Sequence, residues 1–318
     1  MSVQLKKGAS PAMVILAFAI VYIVWGSTYF FIQRGVKEIP PFIMGAMRFI
    51  LSGSILMGWC MYKGERIWDQ GQVKAAAISG LILLLVGNGA VIWAEKTLPS
   101  SLVAILSSVT PIWFVILDRP KWTENFQSKS TLIGLFIGFI GVYLLFSEQV
   151  ASVMKGSGHS LQIISLMVLM VGSISWARGS LYAKYHSKGS ATVSSAWQML
   201  VAGLAFLPLS AISREWGNFH TSNVSSGAWL SILYLVFMGS LAGYSAYIWL
   251  LQVRPATQVS TNAYVNPVVA VLLGTMFAGE HMSGLQILGL AVILTSVLLI
   301  NLAKYRSAKA ESAAMQIR

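Results

Sequence analysis

The chain has 318 residues, of which 56% are hydrophobic and only 10% charged. Soluble domains carry about 25% charged residues, so a chain this apolar exposes more greasy surface than an aqueous fold can hide, and lipid is the medium that remains. Its net charge of +12 would point to nucleic acid in a soluble protein. Here the basic residues form no patch and sit in short segments between apolar runs, as in the loops of membrane proteins, so nucleic acid is not an expected partner. A single cysteine, Cys60, excludes an intrachain disulfide. The scattered histidines offer no metal-ligand spacing.

A membrane-crossing helix needs about 20 mainly apolar residues. Lys6 and Lys7 precede an apolar run that reaches Ile32. That run is longer than the apolar core of a signal peptide and has no convincing cleavage site, so it is expected to persist as the first span, 11–32. The second, 40–62, is broken only by Arg48. Charge-free runs then predict spans at 75–94, 98–117, 130–147, 161–183, 190–211, 228–250, 256–278 and 284–303. The connections are short and leave no room for a soluble domain. The fold class expected is all-α, a polytopic membrane protein of ten transmembrane helices. With the N-terminus in the cytoplasm, the inner segments hold 15 Lys and Arg residues and the outer ones 5. This bias predicts both termini on the cytoplasmic side of the cell membrane.

The halves echo each other. Trp93, Pro99 and Pro111 recur as Trp249, Pro255 and Pro267 at a constant offset of 156, which Glu124 and Glu280 share. Five helices per half is an odd number, so two copies, 1–150 and 156–318, would lie upside down relative to each other. Inverted repeats place a transporter's substrate site at their interface near mid-membrane.

Several segments carry a family resemblance. They are Ile23-Val24-Trp25-Gly26-Ser27-Thr28-Tyr29, Pro40-Pro41 followed by Arg48-Phe49, Val86-Gly87-Asn88-Gly89, Ile174-Ser175-Trp176 and Tyr264-Val265-Asn266-Pro267-Val268-Val269-Ala270. In this order they resemble the drug/metabolite transporter superfamily of EamA type, most of all its YedA-type branch. The resemblance implies ten helices in two inverted repeats around a central cavity, and export of amino acids, related metabolites or toxic organic compounds. Leu117-Asp118-Arg119-Pro120 departs from the matching Leu273-Gly274-Thr275-Met276, and Arg178 adds a charge to the sixth helix.

Arg48 is the sharpest site candidate. A charge within the bilayer costs a few kcal/mol on insertion scales, so it must face a cavity or a partner. A guanidinium there suits a substrate carboxylate, which it grips with two parallel bonds; the bland alternative is a structural arginine that bonds helix-end carbonyls. Trp25, Asn88, Trp176, Gln198, Tyr244, Asn262, Tyr264 and Asn266 are polar or amphipathic groups within spans, expected to face the interior as cavity lining or as glue between helices. Pro111 and Pro267 fall inside predicted helices and are read as paired hinges or as static kinks. Arg178, near a helix end, can snorkel to the surface. Gly134/Gly138 and Gly239/Gly243 have the spacing of close helix packing. No carboxylate falls deep in a span: Glu95, Asp118, Glu148 and Glu280 all sit near helix ends. A buried acid relay therefore has no support from sequence, Glu95 being the nearest to one.

No Gly-rich phosphate loop, zinc protease motif or histidine-activated nucleophile is present, so no enzyme and no cofactor are expected. The leading reading is a secondary transporter that exports small metabolites, amino-acid-like or aromatic, by alternating access. Its expected partners are that small molecule and the lipid bilayer; a homodimer is left open. The alternatives are uptake or flipping of a sugar or lipid-linked compound, and a membrane-embedded lipid-modifying enzyme.

Overall fold

The computed structural model describes residues 10–98, 100–154, 159–217, 219–278 and 283–316. Pro99 and Glu280, two members of the repeat spacing, lie outside these residues, as do Lys6, Lys7, Lys155 and Arg318 of the loop count. Among the described residues all regular structure is helical.

Among the described residues each of the ten predicted apolar stretches is mainly helical, the fourth and the ninth as two segments. The elements are α1 (Pro11–Val36), α2 (Pro41–Tyr62), α3 (Gln70–Ala94), α4 (Ser100–Ser107), α5 (Thr110–Leu117), α6 (Trp122–Gln127), α7 (Lys129–Met154), α8 (His159–His186), α9 (Ala191–Ile212), α10 (Ser226–Val253), α11 (Ala256–Val259), α12 (Asn262–Ala278) and α13 (Gly284–Gln316). Among the described residues six are long and apolar enough to cross a membrane: α1, α2, α3, the Ile164–His186 part of α8, α9 and α10. A seventh counts if α6 and α7, bent by 89° at their junction, form one span.

The helix starts are built from local chemistry. Ser10 accepts a bond from the Met13 amide at 3.2 Å ahead of Pro11, and Asp69 accepts from the Gln72 amide at 2.9 Å. Both satisfy amides that the first helical turn leaves unpaired. Two further starts are capped across the fold. The Glu215 carboxylate, in the α9–α10 connection, accepts from the Phe42 and Ile43 amides of α2 at 3.1 and 3.0 Å; burial pushes this carboxyl up, against those two bonds. Glu38, between α1 and α2, accepts from the Ser225 amide at 2.6 Å and hydroxyl at 2.8 Å at the start of α10, bonds that hold its carboxyl below the usual range. These two acids tie the α1–α2 turn to the α9–α10 connection at one end of the bundle.

Helices in lipid gain little from the hydrophobic effect and associate by close packing. Accordingly α2 lies along α9 and α7 along α13, with small residues at the crossings. A Cβ on Gly203 would stand 2.6 Å from the Ile50 amide, and one on Gly141 2.8 Å from that of Ile293. Apolar side chains such as Ile15, Phe136, Met167 and Leu230 stay more than half exposed, a surface made for acyl chains rather than water. Trp59, Trp68, Trp122 and Trp216 are exposed as well, as residues of an interfacial belt would be.

Breaks in the helices fall beside the centre. α3 and α10 each run through a π-helical stretch, Leu81–Asn88 and Leu235–Tyr244. Such wide turns often accompany functional sites. The fourth predicted span is split at Ser108 and Val109, so Pro111 occupies the first turn of α5, where its missing N–H costs nothing, instead of a helix interior. Pro267 does lie inside α12, and the break in its span comes earlier, at Ser260 and Thr261. The charged Leu117-Asp118-Arg119-Pro120 segment ends α5 and passes through a 3₁₀ turn, Arg119–Lys121, into α6.

Candidate functional site

The π-stretch of α3 and that of α10, the middle of α1 and α8, and the start of α12 converge on one cavity. About 820 Å³ of space lies between these segments, a figure that includes the open solvent at its mouth. Seven of the nine residues singled out as candidate ligands line it: Arg48, Trp25, Asn88, Trp176, Tyr244, Asn262 and Asn266.

Trp25, Trp176 and Tyr247 form an aromatic cluster. Trp25 meets Trp176 edge-on with centroids 5.5 Å apart, and Tyr247 packs 4.8 Å from Trp25 and 5.5 Å from Trp176. Each indole N–H is spent. Trp25 donates to the Gly239 carbonyl at 3.0 Å, and Trp176 donates to the Tyr247 hydroxyl at 3.0 Å, which in turn pairs with Ser180 at 2.7 Å. A wall this fully bonded is pre-set and offers a ligand ring faces and edges rather than loose polar groups.

Arg48 is only 4% exposed, yet its guanidinium borders the cavity. Nε donates to the Ser240 hydroxyl at 2.9 Å, Nη1 donates to Asn88 Oδ1 at 3.4 Å, and the Phe49 ring lies 4.9 Å from Cζ. Gly239 lets it fit, because a Cβ there would stand 3.0 Å from Arg48 Nη2. Gly243 likewise admits the Trp25 indole, 2.5 Å from where its Cβ would be. The Gly239/Gly243 spacing therefore makes room for two cavity side chains, whereas Gly134 and Gly138 pack against α13, at Ile300 and Ser296. Across the cavity Asn266 keeps a buried Oδ1 with no hydrogen-bond partner, a free acceptor for an N–H.

Two candidates lie elsewhere. Gln198 is buried in a chain that runs from the Tyr244 hydroxyl (3.0 Å) through Gln198 to the Ser79 hydroxyl (2.8 Å), behind the cavity wall. Tyr264 packs among α7 and α13 and donates to the Leu135 carbonyl at 2.9 Å. Both look alike in sequence to residues that line the cavity, because helical phase alone does not say which neighbour a face meets. Arg178 is exposed.

Sequence position also hid two residues. Tyr29 lines the cavity four residues beyond Trp25 and bonds Ser107. Glu95, just past the end of α3, is 3% exposed, with neither carboxylate oxygen hydrogen-bonded. It shares an electrostatic field with Arg48, although among the described residues the ion pair within 4 Å is Lys121–Glu124. Glu95 thus sits at a helix end, as its place in the sequence suggests, and is nonetheless buried and within the electrostatic field of Arg48.

A helical, membrane-spanning chain with a small-molecule cavity at the junction of its helices has the build of a transporter. The sequence profile of the EamA-like transporter family matches residues 12–147 and again 163–302, and the chain belongs to that family. It is 35% identical over 286 residues to YedA of Escherichia coli K12, named an uncharacterized inner membrane transporter, the match covering 89% of both chains. A probable amino-acid metabolite efflux pump of Salmonella typhimurium is 25% identical, over 84% of this chain and 88% of its own length. PecM of Dickeya dadantii is 24% identical, over 83% and 84%. One crystal structure superposes with a TM-score of 0.72 at 14% identity, covering 93% of this chain and 99% of the other, a likeness of fold.

Proposed function

We propose that this chain is a secondary transporter that exports small amino-acid-like or aromatic metabolites by alternating access, with the Arg48 cavity as its substrate site. One observation carries this reading: a guanidinium, a free amide oxygen at Asn266 and aromatic side chains converge on a single space. A carboxylate would suit Arg48, an ammonium or amide N–H would suit Asn266, and an apolar or aromatic body would rest on Trp25 and Trp176. Relatives named as amino-acid metabolite efflux pumps in two bacteria favour the same class and direction.

The architecture behind it is ten helices in two inverted five-helix repeats, 1–150 and 156–318, with both termini cytoplasmic. Pairings between the halves support this. The second helix of one half (α2) lies along the second of the other (α9), and fifth along fifth (α7, α13); α1 meets α10 as α8 meets α3. The two π-stretches end at Asn88 and Tyr244, which differ by the same 156 positions as Trp93 and Trp249. In this frame the cavity lies between the two halves and Arg48 reaches it from the outer side. Pro267 and the breaks at Ser108–Val109 and Ser260–Thr261 supply the bending points, Pro111 marking the helix that restarts after the first of them.

Overexpressing cells challenged with amino acids, their analogues and toxic amines test the proposal. Raised tolerance to carboxylate-bearing aromatic or amino-acid-like compounds, lost with Arg48→Ala at equal membrane abundance, is the expected result. Sensitisation to those compounds would instead favour uptake.

A further inference from the structure

Glu95 is the buried charged group for which the substrate site, as described, has no use. Both of its carboxylate oxygens are sealed from solvent and unbonded. A carboxyl left this way is costly whichever form it takes, since buried polar groups are normally bonded, so its retention calls for a partner that comes and goes. Its chain neighbours Ala94 and Leu98 belong to an apolar cluster with Val103, Leu169, Leu106, Leu166, Val91 and Tyr29. Among the described side chains, α4 and α8 give that cluster apolar groups, and the nearby Thr97 pairs with the Ser165 hydroxyl. The titratable groups in its field are Arg48 from α2 and the Tyr29 phenol from α1. The adjacent Lys96 is exposed and acts on Glu215 instead. Among the described residues no basic side chain closes on Glu95 within 4 Å; the cation whose charge acts on it is Arg48, which is thus shared between Glu95 and whatever occupies the cavity.

We infer that Glu95 is a proton-binding site linked through Arg48 to the ligand, so that a ligand carboxylate on Arg48 and a proton on Glu95 are taken up together. The inference rests on the reading of the cavity as the substrate site. Its physics is simple competition: two negative charges cannot both be balanced by one guanidinium in a low-dielectric interior. When a carboxylate docks on Arg48, Glu95 loses its compensation and takes a proton from water. When the carboxylate leaves, the proton leaves too. Linkage is reciprocal, so protonation of Glu95 strengthens carboxylate binding by the same factor. A carboxylate then moves with its charge cancelled, and its transport responds to pH.

Infrared difference spectroscopy of the purified full-length protein reads the protonated carboxyl directly and requires no knowledge of the substrate. A titrating carboxyl band that Glu95→Gln removes is expected, and its midpoint should move to higher pH in Arg48→Gln. A band that survives Glu95→Gln, or a midpoint indifferent to Arg48, overturns the inference. A second arm uses L-phenylalanine as ligand. Above that midpoint wild type should take up protons from weakly buffered solution as it binds, and its affinity should fall by up to about tenfold per pH unit. Glu95→Gln should bind without proton uptake and with a flat pH profile. Binding by wild type above the midpoint with no proton uptake also overturns the inference. If L-phenylalanine does not bind at all, it is the proposed substrate class that fails, and the infrared arm alone decides the role of Glu95.

Discussion

Glu95 and Asp118 are both buried, 3% and 2% exposed, yet the fold treats them in opposite ways. Asp118, at the end of α5, accepts a bond from the Tyr185 hydroxyl of α8 at 2.5 Å. Its neighbour Lys184 donates to the Leu251 and Arg254 carbonyls at 2.6 Å each and so caps the end of α10. Here three helix ends are knotted together by groups whose bonding is spent on one another, at the end of the bundle opposite the α1–α2 turn. Glu95, at the far end of α3, has no such bonds. A satisfied buried network specifies a single arrangement, whereas an unsatisfied buried acid near a cavity is a site in waiting. The contrast separates what closes the bundle from what serves the cavity.

Removing each acid is the strongest way to break that comparison. Asp118→Ala should destabilise the purified protein by about 2–3 kcal/mol, the usual cost of unmaking a buried hydrogen bond to a charged group; Glu95→Gln, which breaks no hydrogen bond, should cost less than about 1 kcal/mol. Thermal unfolding in detergent measures both, and equal losses would erase the distinction. Gly239→Ala sharpens it from the cavity side. The new methyl would crowd Arg48 Nη2 at 3.0 Å, so ligand affinity should drop roughly tenfold, about 1.4 kcal/mol, while the unfolding temperature barely moves. Tyr185→Phe removes one bond from the knot and should cost about 1 kcal/mol of stability with ligand affinity unchanged. Arg178→Gln, on an exposed face, should alter neither stability nor transport, and a loss of transport there would mean that charge outside the cavity had been overlooked.

Much of this was legible beforehand because lipid enforces it. A span must be apolar along its length, so charge-free runs find the helices, and a lone arginine such as Arg48 advertises a cavity. The halves' shared spacing of Trp93/Trp249 and Pro111/Pro267 was visible as well. What sequence could not supply was tertiary. Glu95 reads as a loop acid because it follows the last apolar residue of α3; its burial is a tertiary fact. Gln198 and Tyr264 read as cavity residues because amphipathic groups on a helix declare an interior and not which interior. Gly239 and Gly243 read as helix-packing glycines, although the groups they admit are side chains from α2 and α1. Pro111 marks the fourth span correctly, but the break precedes it, where Ser107, Ser108 and Thr110 return their hydroxyls to backbone carbonyls and offer the chain an alternative to the helical ladder.

The central claim is that Arg48 grips the substrate of a transporter, and counterflow in reconstituted liposomes tests it most directly. Vesicles preloaded with an unlabelled aromatic amino acid are diluted into the labelled compound, with wild type, Arg48→Lys and Arg48→Ala incorporated at equal, verified amounts. The account predicts rapid label accumulation with wild type, a partial rate with Arg48→Lys, whose ammonium keeps the charge but not the two-pronged geometry, and the rate of protein-free vesicles with Arg48→Ala. Wild-type counterflow by a properly folded Arg48→Ala protein would contradict it.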